Sequence, residues 1–252
     1  MITCLHHRAP GGGQDRVLLV MLPGVGIEAS EFASRGLVAA VRERGLVVDI
    51  VAADIELDLY LDGRIAASLH DAIIEPALAQ GYSRVWFLGI SLGGMGALLY
   101  ASAYGAHVEG LVLLAPFLGT QGTVAEIAAA GGLASWSMSS SAATATESRI
   151  LAWLQDYLAR QPARPQLYLG YGMADRFALG HRMLAERLPR NYVVTEEGGH
   201  DWDTWLTLWH RLLDVSPFTA KSGGDCGNWT RERPGEYDDV DSEGSDSHDH
   251  RP

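Results

Sequence analysis

The stretch Arg84-Val85-Trp86-Phe87-Leu88-Gly89-Ile90-Ser91-Leu92-Gly93-Gly94-Met95-Gly96 (RVWFLGISLGGMG) decides how the rest of the chain is read. Its first half is a short apolar run of the kind that forms a strand buried on both faces. Its second half opens LGGMGALLYASAYG (92–105), a small-residue segment with helical spacing. Ser91 therefore stands at a junction of strand and helix, with a glycine two positions away on either side. A sharp turn there demands that spacing, because a Cβ at either glycine would collide inside the turn. The turn lifts the serine hydroxyl above the strand ends. The N-terminal N–H groups of the following helix favour negative charge at that point.

Gly89-Ile90-Ser91-Leu92-Gly93 matches G-x-S-x-G, the nucleophile elbow, in the strand–turn–helix context that the motif requires. The N–H of Leu92 is then placed to donate to a developing oxyanion. A serine becomes a nucleophile only with a base, and the base needs an orienting acid. On this elbow the order along the chain is Ser, then Asp or Glu, then His.

Working outward, further apolar runs closed by turn residues predict strands at 16–24, 46–54, 108–116, 165–172 and 191–199. Helical patterns lie between them at 30–45, 64–81, 92–105, 176–189 and 201–214. The alternation predicts an α/β fold, a three-layer α/β/α sandwich with a mostly parallel sheet of six or seven strands. YLGYGMADRF ends one predicted strand and delivers Asp175 as the acid; VVTEEGGHDW ends the last and delivers His200 as the base. His70, His107, His181 and His210 fall in or beside predicted helices and read as surface or packing residues. Asp201 and Asp203 read as N-cap and first-turn acids of the last helix. Asp54, at another strand end, is the next candidate to line a site.

The loop MLPGVGIEASEF follows the strand at 16–24 and is expected to supply the second oxyanion donor, the N–H of Val25, with Gly26 as the alternative. Glu28 and Phe32 are candidate pocket residues. The loop lacks the full G-x-G-x-x-G pattern, which argues against a dinucleotide site. The segment 119–148 is rich in Gly, Ala, Ser and Thr, and reads either as a small cap over the site or as a loosely ordered insertion. Trp136, Met138 and Leu133 in it point either to an acyl or aromatic pocket or to the segment's own small core, and Thr144 with Glu147 forms a capping-box pattern at the start of the next helix.

The chain has 252 residues and a formal net charge of -12, with 47% apolar and 20% charged residues. One globular domain over 1–218 accounts for the apolar content. From Thr219 to Pro252 four Lys/Arg face nine Asp/Glu with almost no aliphatic residue, the composition of a disordered acidic tail. The acidic balance excludes a nucleic-acid binder. Cys4 and Cys226 lie in the regions expected to pack least, so no disulfide framework is expected. The N-terminal stretch has no apolar signal core and no run is long enough to span a bilayer, which leaves a cytoplasmic protein as the expectation.

These features together resemble the α/β-hydrolase superfamily over roughly 16–214. The resemblance is to esterase-type members whose histidine lies in Gly-Gly-His-Asp-Trp-x-x-Trp, here Gly198 to Trp205. It implies a Ser91–His200–Asp175 triad, an oxyanion hole from Leu92 and Val25, a small-molecule ester or acyl substrate, and neither cofactor nor metal. Pro23-Gly24 stands where such enzymes more often carry His-Gly. The same triad serves acyl transfer or thioester cleavage, and a non-catalytic binding protein of this fold is the rival of a different class.

Overall fold

Val17, Leu19 and Met21 of one apolar run pack into one core cluster, while Leu18, Val20 and Leu22 pack into another. The two-residue period of a strand splits the run between two faces of a sheet. The computed structural model of the chain describes residues 2–11, 16–137, 143–160 and 165–215. The expected acidic tail, Cys226 and Met138 lie outside the described residues.

The strands are β1 (Thr3–His7), β2 (Val17–Leu22), β3 (Val48–Asp54), β4 (Arg84–Ile90), β5 (Gly110–Leu114), β6 (Gln166–Gly172) and β7 (Val193–Glu196). They form one sheet of order β1-β3-β2-β4-β5-β6-β7. Every pair is parallel except β1 with β3. The face of Leu18, Val20 and Leu22 carries α3 (Leu57–Leu61), α4 (Ile65–Leu69), α5 (Glu75–Ala79), α6 (Leu92–Tyr104), α8 (Ala145–Ala159) and α9 (Ala178–Ala185). The opposite face carries α1 (Ala29–Ser34), α2 (Leu37–Glu43) and α10 (Trp202–Val215), with Phe32, Leu37 and Trp209 fully buried there. This is the three-layer α/β/α arrangement, with seven strands. None of the described helices is long and apolar enough to cross a membrane.

Three expectations need correction. The N-terminal stretch around Cys4, expected to pack poorly, forms strand β1 on the sheet edge, paired with β3 from Thr3 opposite Asp54 to His7 opposite Ile50. Its mixed TCLHH sequence carries no periodic signal; backbone pairing to β3 holds it. The helix expected at 30–45 is two helices, because Gly36 adopts φ +91 and breaks the turn. The helix expected at 64–81 is likewise interrupted, by a π-helical turn at His70–Ile74 ahead of Pro76.

In the segment 119–148, Gln121–Ala129 forms a further helix, α7, capped by Thr120, whose side chain accepts from the Thr123 N–H. Ile127, Leu133 and Trp136 pack into the core beside Ile150, Leu151 and Leu154 of α8. The capping box at Thr144 and Glu147 is formed. The Glu147 carboxylate, buried, accepts from the N–H groups of both Thr120 and Thr144 and so ties the two ends of the segment together.

Candidate active site

Ser91 has φ 52 and ψ -114, a conformation that a residue with a side chain adopts at a cost. Its surroundings impose it. The Ser91 N–H donates to the Leu114 carbonyl at 2.9 Å, and its own carbonyl accepts from Gly94 and Phe117, each at 2.9 Å. A Cβ at Gly89 would lie 2.5 Å from the Gly93 carbonyl oxygen, and one at Gly93 would lie 2.1 Å from that of Leu22. Both glycines are therefore steric requirements of the elbow. Ala115 is the other described non-glycine residue with positive φ, at 45. Its turn at the end of β5 brings the Phe117 N–H to Ser91, so both strained residues serve the same junction.

The acid and histidine loops are joined to each other. The Met173 N–H donates to the Glu196 carbonyl at 2.8 Å and the Ala174 N–H to that of Gly198 at 2.9 Å. The backbones approach so closely that a Cβ at Gly172 would meet the Gly198 oxygen at 2.4 Å. Within this clasp Asp175 is buried. One carboxylate oxygen accepts from the Phe177 N–H at 2.8 Å, and the other lies 2.7 Å from His200 Nδ1. Burial pushes the Asp175 carboxyl up, but the hydrogen bonds from His200 and Phe177 outweigh it and hold it below the ordinary value. The Asp201 carboxylate accepts from the Thr204 N–H at 3.0 Å, so this acid caps α10.

His200 Nε2 lies 2.9 Å from Ser91 Oγ. The structure thus brings Ser91, His200 and Asp175 into one hydrogen-bonded row. The carboxylate can only accept, so His200 Nδ1 carries the proton and Nε2 faces the serine as an acceptor. The imidazole is gripped edge-to-face between Phe177, at 5.2 Å, and Trp205, at 5.0 Å.

Ser91 opens into a cleft of about 310 Å³ lined in part by Gly24, Val25, Leu92, Phe117 and Phe177. Leu92 is the first residue of α6, where a helix leaves its N–H without an intrahelical acceptor. The Val25 N–H donates to no described residue. Gly24 is close enough to Ser91 that a Cβ there would stand 3.3 Å from the serine Cβ. Both residues expected at the oxyanion hole therefore border the cleft.

Five other candidates do not. Phe32 is fully buried in the opposite core, edge-on to Trp202. Glu28 is exposed at the start of α1. Asp54 accepts from the Ala29 N–H at 2.6 Å and anchors that helix. Leu133 and Trp136 are core residues rather than lining.

Sequence reasoning passed over a second cavity of about 300 Å³ that shares Arg176 and Phe177 with the cleft. His181 borders it, fully buried. Its Nε2 lies 2.9 Å from the Pro116 carbonyl, and its Nδ1 has no partner among the described residues. Burial holds this histidine below its ordinary pKa. The signal for Arg176 was its place directly after the acid; the cavity itself has no signature in the sequence.

A family model described as serine aminopeptidase, S33, matches residues 66–183. S-formylglutathione hydrolase of Staphylococcus aureus superposes with a TM-score of 0.56 at 15% identity, over 86% of this chain and 96% of that one. Monoacylglycerol lipase of Paleococcus ferrophilus gives 0.55 at 15% identity, over 86% and 100%. Est1E of Butyrivibrio proteoclasticus gives 0.56 at 15% identity, over 85% and 94%. A search of curated proteins returned no match.

Proposed function

We propose that this chain is a serine hydrolase of the α/β-hydrolase fold that cleaves carboxylic esters through an acyl-enzyme, a reading supported by the family model over 66–183 and by the likeness in fold to solved hydrolases. The observation that carries the reading is the unbroken row Ser91 Oγ, His200, Asp175 on a strained elbow. His200 Nε2 takes the Ser91 proton as Oγ attacks the ester carbonyl. Asp175 stabilises the imidazolium without itself being protonated. The N–H groups of Leu92 and Val25 hold the oxyanion. His200 then protonates the leaving alcohol, and water activated by the same ring releases the acid.

Hydrolysis is favoured over transfer to a second acceptor by the open mouth of the cleft. The Val25 side chain on its rim is 69% exposed, so bulk water reaches the acyl-enzyme. The test is a fluorophosphonate probe with the adduct located by mass spectrometry. Stoichiometric phosphonylation at Ser91, absent in folded Ser91→Ala, is the expected result. A folded wild-type protein that takes no label at Ser91 would leave the fold as a binding scaffold only.

A further inference from the structure

Arg176 lies between the cleft and the second cavity and borders both. Its guanidinium sits 4.9 Å from the centre of the Phe177 ring, a cation–π seat. Phe177 in turn contacts the His200 ring edge-to-face, so the cation is placed relative to the catalytic histidine through one shared aromatic. The backbone beneath it is fixed. The Phe177 N–H donates to the Asp175 carboxylate and the Ala178 N–H donates to the Asp175 carbonyl. Arg176 is exposed and has neither an ion pair nor a hydrogen bond to any described residue. Among the described residues no Asp or Glu lines either cavity, and Arg176 alone of the lining carries a permanent charge. In a chain of net charge -12, the mouth of the reactive cleft thus carries a cation.

We infer that Arg176 is a specificity-determining residue that selects esters carrying an anionic group, a carboxylate or a phosphate, away from the reacting carbonyl. The inference rests on the hydrolase reading of Ser91. A planar guanidinium with five free N–H donors holds a carboxylate by two parallel bonds, which a neutral ester cannot reproduce. The apolar residues of the cleft that Ser91 and Arg176 both line, Phe117 and Phe177 among them, take the methylene chain between the two ends of such a substrate.

The experiment compares kcat/KM for mono-4-nitrophenyl glutarate and for neutral 4-nitrophenyl butyrate. Wild-type protein is expected to favour the anionic ester by about 10-fold, the range for a charge-assisted contact at a partly exposed site. The preference shrinks as ionic strength rises. Arg176→Ala abolishes it, Arg176→Lys keeps part of it, and Arg176→Glu turns it toward an ester with a terminal trimethylammonium group. Equal preference ratios in wild type and Arg176→Ala overturn the inference. A second readout is independent of catalysis: calorimetric binding of monomethyl glutarate and of methyl butyrate to Ser91→Ala protein. Tighter binding of the anion, lost on adding Arg176→Ala, upholds the inference even where turnover fails; equal binding overturns it. Failure of the hydrolase reading is seen separately, as absent fluorophosphonate labelling at Ser91.

Discussion

Two cavities share a wall of Arg176 and Phe177, and each is bordered by a histidine, His200 in one and His181 in the other. Both rings lie within the field of Asp175. What separates them is the partner of each nitrogen. His200 Nδ1 faces a carboxylate, so its Nε2 is the bare nitrogen and meets a hydroxyl. His181 Nε2 faces a carbonyl, so its Nδ1 is the bare nitrogen and meets nothing among the described residues. A proton gained by His200 is met by a carboxylate through the ring. A proton gained by His181 would be buried with no acceptor. Two identical side chains on either side of one phenylalanine thus differ in what their second nitrogen meets.

The most severe way to break the contrast is to remove the hydroxyl that His200 faces. Ser91→Ala is expected to lower turnover of 4-nitrophenyl butyrate by more than about 10⁴-fold with the fold intact by circular dichroism. A residual rate within 10-fold of wild type would move the chemistry elsewhere. Next comes the orienting acid. Asp175→Asn lets an amide donate to Nδ1, turning the protonated nitrogen toward Ser91, and a loss of about 10³- to 10⁴-fold in kcat is expected. Steady-state kinetics with unchanged thermal stability would separate this from unfolding.

Removing the shared wall is a smaller perturbation. Phe177→Ala merges the two cavities and frees one face of the His200 ring, and about a 10-fold fall in kcat/KM for short acyl esters is expected. The series of acyl lengths sharpens the contrast, because longer chains lose less. The smallest effect belongs to His181, through pH. Burial holds its folded-state pKa below the unfolded value of 6.5. The unfolded chain therefore binds more protons below that pH, and stability falls as pH drops through 6.5 toward 5. Gln at this position keeps an N–H donor for the Pro116 carbonyl but does not titrate. The stability advantage of wild type over His181→Gln, followed by thermal denaturation, is expected to shrink from pH 7 to pH 5, by at most about 1.4 kcal/mol per pH unit. A pH-independent difference would make His181 a packing residue with no electrostatic cost.

The three residues of the row were legible because each closes an apolar run with small residues. Gly89, Gly93, Gly172 and Gly198 mark backbones in near contact, and near contact leaves a compositional trace. The capping box at Thr144 was legible for the same local reason. Strand β1 was not, because an edge strand held by backbone pairing needs no apolar period. The break at Gly36 was hidden because the apolar pattern of 30–45 continues across it. Phe32 was misplaced as lining because a loop position near a site says nothing of which face the next helix buries. The second cavity was invisible, since it is made by residues from the β5 end, α7 and the loop after β6 meeting in space.

Ser91 and the histidine that meets its hydroxyl are separated by 109 positions along the chain. As the polypeptide leaves the ribosome, the elbow emerges well before β6 and β7, which carry the acid and the base. On the proposed hydrolase reading, a chain whose last strands have not docked holds a nucleophile without its base. On that reading, phosphonylation of Ser91 requires that the C-terminal strands have joined the sheet, and so reports on their docking.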